Sequence, residues 1–73
     1  MKSSELGLLP MYRLLKKSGA HRISEESAEE LRRVTEDVAA AVAKSAVDLC
    51  KHAGRRTIKS EDVKLASKTI LKT

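Results

Sequence analysis

The apolar positions of the chain fall into three helical stretches separated by two short polar breaks. In the first stretch, over about residues 7–18, Met11 and Leu14 lie on one helix face at the spacing of an amphipathic helix. Pro10 is compatible with a helix because it falls in the first turn, where its missing N–H costs little. Gly19 follows as a residue that commonly ends a helix. The pattern predicts a short helix and then a break.

The second stretch is much longer and contains neither Gly nor Pro from Leu31 to Ala53. Its apolar stripe consists mostly of Val and Ala, Ser24 is a candidate N-cap, and four glutamates occupy the first turns. A helix over about residues 24–53 measures about 45 Å. The expected radius of gyration of so short a chain is only about 11 Å. One copy cannot cover this helix, so the pattern favours a second copy packed across it.

The third stretch, over about residues 59–71, has an apolar stripe formed by Val63, Ala66 and Ile70. Two acidic residues in its first turn suit the positive end of a helix. The chain is therefore predicted to be all-α, with the order short helix, long helix, short helix in a single domain over residues 1–73.

The composition indicates a small aliphatic core that needs a partner chain. A chain of 73 residues buries only about 60% of its unfolded surface. Tyr12 is the only aromatic residue, and a single cysteine, Cys50, excludes an intramolecular disulfide. Cys50 is expected to be a small, partly buried apolar side chain. The Cys and His residues lack zinc-site spacing, so neither a metal nor another cofactor is expected. Oligomerisation is the leading explanation for stability.

Several classes of function are disfavoured by the sequence. No stretch approaches the roughly 18 apolar residues of a membrane span, and charged residues, Gly and Pro interrupt the first 15 residues, unlike a signal peptide. We expect no membrane partner and a reduced cytoplasmic setting. Two histidines and one cysteine without convergent partners do not form an acid–base constellation. An enzyme with a small-molecule substrate is therefore not expected.

The net charge of +5 is unevenly distributed. Residues 1–22 carry five cations and one anion, and residues 51–59 carry four cations and no anion. Residues 23–37, in contrast, carry six anions and two cations. An ordinary soluble surface intersperses both signs. An arginine pair in a turn is by itself compatible with plain solvated surface, but two cationic blocks around an acidic one indicate an anionic partner.

Two segments, LLKKSGAHRIS (residues 14–24) and HAGRRTIKSEDVKLA (residues 52–66), resemble the corresponding segments of archaeal histones. The resemblance covers about residues 5–71, and its most specific part is the AGRRTI turn followed by Glu-Asp directly after the long helix. It implies the histone fold, in an intertwined head-to-tail handshake dimer. It also implies that the protein wraps and compacts double-stranded DNA largely without sequence specificity, at the chromosome in the cytoplasm (the nucleoid).

The resemblance also implies roles for single residues. The implied DNA-binding set consists of cations and one hydroxyl side chain: Arg13, Lys16, Arg22, Arg55, Arg56, Thr57 and Lys59. Of these, Arg13 and Arg22 are implied to reach a groove, and the others to contact the phosphate backbone. A contact between dimers is implied for Leu49, His52 and Asp62. Such binding is expected to weaken strongly with salt.

Further implications concern the second break and the packing of wrapped DNA. An ion pair between Arg55 and Asp62 is implied to brace the second break. Gly19 is implied to let successive turns of the wrapped superhelix approach closely (layer stacking). In some family members opposite charges also pair between these turns. The corresponding pairs here are mostly like-charged, as in Arg33 with Lys64, so we expect polymerisation along DNA with weaker stacking.

One residue of the first break departs from the family pattern. His21 stands beside Arg22 where the family pattern has an acidic residue. Protonation of His21 would add positive charge near DNA. The hypothesis is tighter DNA binding at mildly acid pH, and equal affinity at pH 6 and pH 8 at fixed salt would contradict it.

Two alternative functions remain open at this point. The first is a histone-fold transcription-factor subunit that acts as a heterodimer, and a histone paralogue is a further possible partner chain. The second is a helical module that binds only proteins. Cations in both breaks favour self-pairing and binding of DNA. The solution mass of the isolated chain distinguishes the first alternative, and DNA affinity distinguishes the second.

Overall fold

The computed structural model describes residues 6–71, and over that range the chain forms three α-helices and no strand. Helix α1 is Leu9–Lys17, α2 is Glu25–His52 and α3 is Ser60–Ile70. The all-α class and the order short, long, short are confirmed. Each observed helix is shorter than the predicted stretch by one or two residues at each end.

The chain divides into two compact units, one ending at Glu36 and the other beginning at Asp37. The first unit contains α1, the first part of α2 and the connection between them, which we call loop 1 (residues 18–24). The second contains the rest of α2, α3 and their connection, loop 2 (residues 53–59). Each loop belongs wholly to one unit.

Loop 1 begins with the glycine turn that the sequence predicted. The N–H groups of Gly19 and Ala20 donate to carbonyls in the last turn of α1, each at 3.0 Å. Gly19 has a φ of 111°, in the region that favours glycine. This is a Schellman turn. At the other end of loop 1, the Ser24 hydroxyl accepts the N–H of Ser27 at 3.1 Å, so Ser24 caps α2 as expected.

Loop 2 has the same length and the same opening turn. The N–H groups of Gly54 and Arg55 donate to carbonyls in the last turn of α2 at 2.9 and 3.0 Å, and Gly54 has a φ of 73°. Its far end differs, because α3 is capped by a carboxylate from inside the helix. The Asp62 side chain accepts the N–H of Lys59 at 2.9 Å.

Few large side chains are buried within the described part of the chain. The buried apolar residues there are mostly small: Met11, Ala28, Ala46, Cys50 and Ala66. Large aliphatic residues are instead exposed to between 39% and 58%: Leu9, Leu14, Val34, Ile58, Val63, Leu65, Ile70 and Leu71. So much exposed apolar surface on so short a chain agrees with the expectation of a partner chain.

Candidate nucleic-acid interface

Loop 2 is fixed by an ion pair between Arg55 and Asp62, the two residues that the resemblance pairs. Arg55 Nη1 donates to Asp62 Oδ2 at 2.8 Å, and Nη2 donates to Oδ1 at 2.7 Å. The pair is therefore bidentate, the stronger and more directional form of this contact. The Asp62 side chain is only 5% exposed, and it also holds the N–H of Lys59. One carboxylate thus ties together both ends of loop 2.

These contacts keep Asp62 in its charged form. Hydrogen bonds from the Arg55 guanidinium and then from the Lys59 N–H lower the pKa of Asp62 to about 2. The same hydrogen bond to Asp62 raises the pKa of Arg55 above its usual value. Both groups are therefore ionised at neutral pH, and the ion pair is complete there.

Two further contacts hold the backbone of loop 2. Arg55 Nη1 also donates to the Thr57 carbonyl at 3.1 Å. The sulfur of Cys50 lies 3.2 Å from the Arg55 carbonyl and 3.4 Å from the Thr57 carbonyl. Its S–H is a weak donor that serves one of them at a time. Cys50 is buried, as a small apolar residue would be, but its contact with loop 2 could not be found from the sequence.

The ion pair leaves three of the DNA-binding candidates of loop 2 exposed: Arg56, Thr57 and Lys59. Within residues 6–71, neither Arg56 nor Lys59 takes part in an ion pair. Arg55 is different, because it is half-buried and its guanidinium already serves Asp62 and a carbonyl. Loop 2 therefore presents two exposed cations and a hydroxyl on a backbone that side chains hold in place.

The candidates of the first unit are also exposed. Arg13 and Lys16 are three residues apart on α1 and share a face of that helix. Arg22 lies in loop 1 and lines a shallow recess together with Ser24 and Ser27, at the start of α2. A helix N-terminus beside an arginine is a favourable place for a phosphate. The structure thus brings Arg22 to the N-terminus of α2.

Helix α1 begins differently from the other two helices. Its N-cap, Leu8, makes no side-chain cap, and its first turn contains no acidic residue. The segment before α1 is held instead by α2, because the N–H of Leu6 donates to Glu36 Oε2 at 3.1 Å. Sequence reasoning missed Glu36, since no local pattern connects residues 30 positions apart.

The three residues implied at a contact between dimers differ in accessibility. His52 is exposed, Leu49 is half-buried, and Asp62 is buried within the hydrogen bonds of loop 2. Leu49 and His52 are three residues apart at the end of α2 and so share a face. Gly19, the implied stacking residue, is exposed, and no heavy atom lies within 4 Å of the position of an added Cβ.

The acidic start of α2 is partly neutralised on its own surface. Arg33 donates to both carboxylate oxygens of Glu30, one turn earlier in the helix. Hydrogen bonding from Arg33 lowers the pKa of Glu30 below its usual value.

Within residues 6–71, no group of His, Cys, Asp and Glu side chains is arranged to hold a metal ion. No helix in the same range is long and apolar enough to cross a membrane.

Comparisons with known proteins give relatives over most of the chain. Residues 5–66 match the family model described as histone-like transcription factor (CBF/NF-Y) and archaeal histone. The chain is 46% identical over 65 residues to a subunit of archaeal histone HAN1 from Thermococcus zilligii, in a match that covers 89% of this chain and 97% of that protein. It is also 46% identical over 63 residues to probable archaeal histone 3 of Methanocaldococcus jannaschii, in a match that covers 86% and 94% of the two chains. The resemblance found in the sequence is thereby confirmed.

Proposed function

Because the chain belongs to the family of histone-like transcription factors (CBF/NF-Y) and archaeal histones, we propose that it is a homodimeric architectural protein that wraps and compacts double-stranded DNA. Proteins of this family are structural DNA-binding proteins and not enzymes. The main support for the proposal is the geometry of loop 2. An ion pair fixes the backbone of this loop, while Arg56 and Lys59 stay exposed. Cations that are already positioned lose little conformational freedom when they bind phosphates.

In this proposal the two units form one histone-fold domain over residues 1–73, completed by a second copy in a handshake dimer. The exposed large aliphatic side chains support it, because burying them against a second copy stabilises both chains. Loop 1 of one copy then lies beside loop 2 of the other. That pairing joins Arg22 of one chain with Arg56 and Lys59 of its partner copy.

The cationic loops then bind the sugar-phosphate backbone with little reading of base sequence. Arg13 and Arg22 reach the edge of a groove, and the remaining candidates contact phosphates: Lys16, Arg56, Thr57 and Lys59. Arg55 contributes mainly by holding loop 2, because both of its terminal nitrogens already donate within the second unit. A surface making six to ten such contacts loses roughly 10³–10⁵ in affinity between 50 and 200 mM salt.

Dimers add along DNA through the end of α2. Leu49 and His52 supply the surface of this contact, while the carboxylate of Asp62 keeps the neighbouring loop 2 in shape. Repetition of the contact extends the protein along the wrapped DNA. The assembly belongs to the chromosome, in the cytoplasm.

The stacking of successive turns is expected to be weak. Gly19 offers a surface without a side chain, which permits close approach. The like-charged pair of Arg33 and Lys64 adds no attraction between layers, and Arg33 already pairs with Glu30. Exposed charge pairs contribute only about 0–1 kcal/mol each, so the effect emerges only over many layers.

The first experiment measures the affinity for short duplexes of unrelated sequence by fluorescence anisotropy at several salt concentrations. We expect similar affinities for all sequences and a steep loss with salt. Arg56→Ala should weaken binding to every duplex and reduce the salt slope by about one per lost contact. The control is Lys44→Ala, an exposed cation of α2 outside both loops. Absence of binding at low salt, or an equal effect of Lys44→Ala, would contradict the proposal.

The second candidate function is one half of a heterodimer, in which the chain pairs with a different histone-fold chain such as a paralogue or a transcription-factor partner. Two observations favour keeping it: the matched family includes transcription factors, and the Thermococcus zilligii relative is named as a subunit. The solution mass of the isolated chain separates the two candidates. A folded species of twice the 8.0 kDa chain mass supports the homodimer. A chain that folds only after a second chain is added supports the heterodimer.

A further inference from the structure

The segment that leads into α1 is held by a residue far away in sequence. The N–H of Leu6 donates to Glu36 Oε2 at 3.1 Å, and both residues are partly buried. The acceptor is a carboxylate, and a hydrogen bond to a charged acceptor is stronger than one between neutral groups. The bond therefore anchors the beginning of the described chain to α2.

The first turn of α1 has no side chain of its own that anchors the segment leading into the helix. Leu8 gives no side-chain cap, and Pro10 has no N–H to donate. Gly7, between Leu6 and Leu8, has an unusually free backbone. The other helices do not need such an anchor, because their first turns are capped by Ser24 and Asp62. Glu36 thus supplies the approach to α1 with a side-chain anchor that α1 does not provide.

We propose that Glu36 is a positioning residue for DNA binding. Its carboxylate fixes residues 6–8, and thereby orients the first turn of α1 and the Arg13 side chain that follows one turn later. This inference rests on the proposed function. It assigns to Glu36 a role in DNA binding although Glu36 does not contact DNA in this proposal and its negative charge disfavours binding.

Because the negative charge of Glu36 disfavours DNA binding, the inference can be tested by whether its removal raises or lowers the DNA affinity. On charge alone, removing an anion from a DNA-binding protein tightens binding to the polyanion. A positioning role predicts the reverse when the hydrogen-bond acceptor is lost as well. Glu36→Gln and Glu36→Ala remove the same charge, but glutamine keeps a side-chain carbonyl that can accept the Leu6 N–H. The two variants therefore separate charge from positioning.

The experiment compares the DNA affinity and salt slope of the two variants, both checked for wild-type helix content and dimer mass. Glu36→Ala should bind about threefold to tenfold more weakly than wild type, the range expected for one lost hydrogen bond. Glu36→Gln should bind at least as tightly as wild type. The matched controls are Glu29→Ala and Glu29→Gln, at an exposed glutamate two turns earlier on the same helix. Both controls should equal each other and match or exceed wild type.

A second pair of variants removes the donor instead of the acceptor and decides the matter if Glu36→Ala does not fold. Leu6→Pro deletes the N–H without changing charge, whereas Leu6→Ala keeps it. Leu6→Pro should weaken binding at least as much as Glu36→Ala, because it breaks the same contact but keeps the Glu36 charge. The double variant should be no weaker than Leu6→Pro alone.

Equal affinities of Glu36→Ala and Glu36→Gln, or of Leu6→Pro and Leu6→Ala, would overturn this inference while leaving the proposed function intact. Additive losses in the double variant would overturn it too. Absence of DNA binding by the wild-type dimer would overturn the proposed function itself, and this inference with it.

Discussion

Loop 1 and loop 2 share one backbone plan but are held in different ways. Each has seven residues and opens with a glycine at positive φ in a Schellman turn. The residue after the glycine is Ala20 in loop 1 and Arg55 in loop 2. Two residues before the end of the preceding helix stands Leu15 in the first case and Cys50 in the second. The same turn therefore carries apolar side chains in loop 1 and hydrogen-bonding ones in loop 2.

This difference determines what each loop depends on. Loop 1 is fixed by its glycine turn and by the Ser24 hydroxyl, which are local contacts. Loop 2 adds a bidentate ion pair between residues seven positions apart and a thiol donor. A single side-chain change should therefore damage loop 2 more, and a single backbone change should damage loop 1 more.

The largest effect is expected for Asp62→Asn, which breaks the brace of loop 2. The change raises the net charge by one, yet DNA affinity should fall about tenfold or more, because Arg55 loses the partner that orients it and the loop. The control is Glu61→Gln, which makes the same charge change at the exposed neighbour. Anisotropy titrations at fixed salt measure both. If Asp62→Asn bound DNA as tightly as Glu61→Gln, the ion pair between Arg55 and Asp62 would not contribute to DNA affinity.

The next effect is the acid sensitivity that the Asp62 carboxylate gives to loop 2. The pKa of Asp62 is about 2 in the folded chain and about 3.9 in an unfolded one. The folded state thus binds this proton less readily, so the stabilisation is complete above about pH 4 and disappears as the pH falls towards about 2. Urea unfolding between pH 5 and pH 2 should show a steeper loss for wild type than for Asp62→Asn. Parallel curves would contradict this assignment.

The third prediction concerns the glycine backbone, and here loop 1 is expected to be the more sensitive of the two loops. Gly54 has a φ of 73°, near the left-handed region that other residues can reach, whereas Gly19 has a φ of 111°. No heavy atom lies within 4 Å of an added Cβ at either site, so only the backbone opposes substitution. Gly54→Ala should cost about 1–2 kcal/mol, and Gly19→Ala should cost more. Urea midpoints test the order, and a larger loss at Gly54 would refute it.

The smallest effect is expected for the cap at the end of loop 1. Ser24→Ala removes the acceptor of the Ser27 N–H and should cost about 1 kcal/mol. The control is Ser60→Ala, because α3 is capped by Asp62 and not by its first serine. That change should stay within about 0.5 kcal/mol. Equal losses at the two serines would mean that the Ser24 hydroxyl does not stabilise α2.

Much of this architecture could be predicted from the sequence, because its causes are local. Helical periodicity, a glycine stop at Gly19 and a capping serine at Ser24 gave three helices with ends correct to within one or two residues. The cationic blocks anticipated exposed cations in or beside both loops. The pairing of Arg55 with Asp62 and the DNA-binding roles came instead from the resemblance to archaeal histones.

The contacts that could not be predicted join residues whose proximity depends on folding. Glu36 reaches the Leu6 N–H across 30 positions, and a glutamate inside a charged helix surface gives no sign of such a partner. Cys50 had the signature of a small buried residue, yet its sulfur lies against two loop carbonyls.

The most direct test of the central claim is nuclease digestion of mixed-sequence DNA reconstituted with the purified chain at several salt concentrations. If dimers wrap DNA through their paired loops and add side by side through the ends of α2, digestion leaves a ladder of protected fragments that grow by one constant increment. The ladder fades as salt rises, since phosphate contacts dominate the affinity. Complete digestion at low salt, with no protected fragment, would contradict the account.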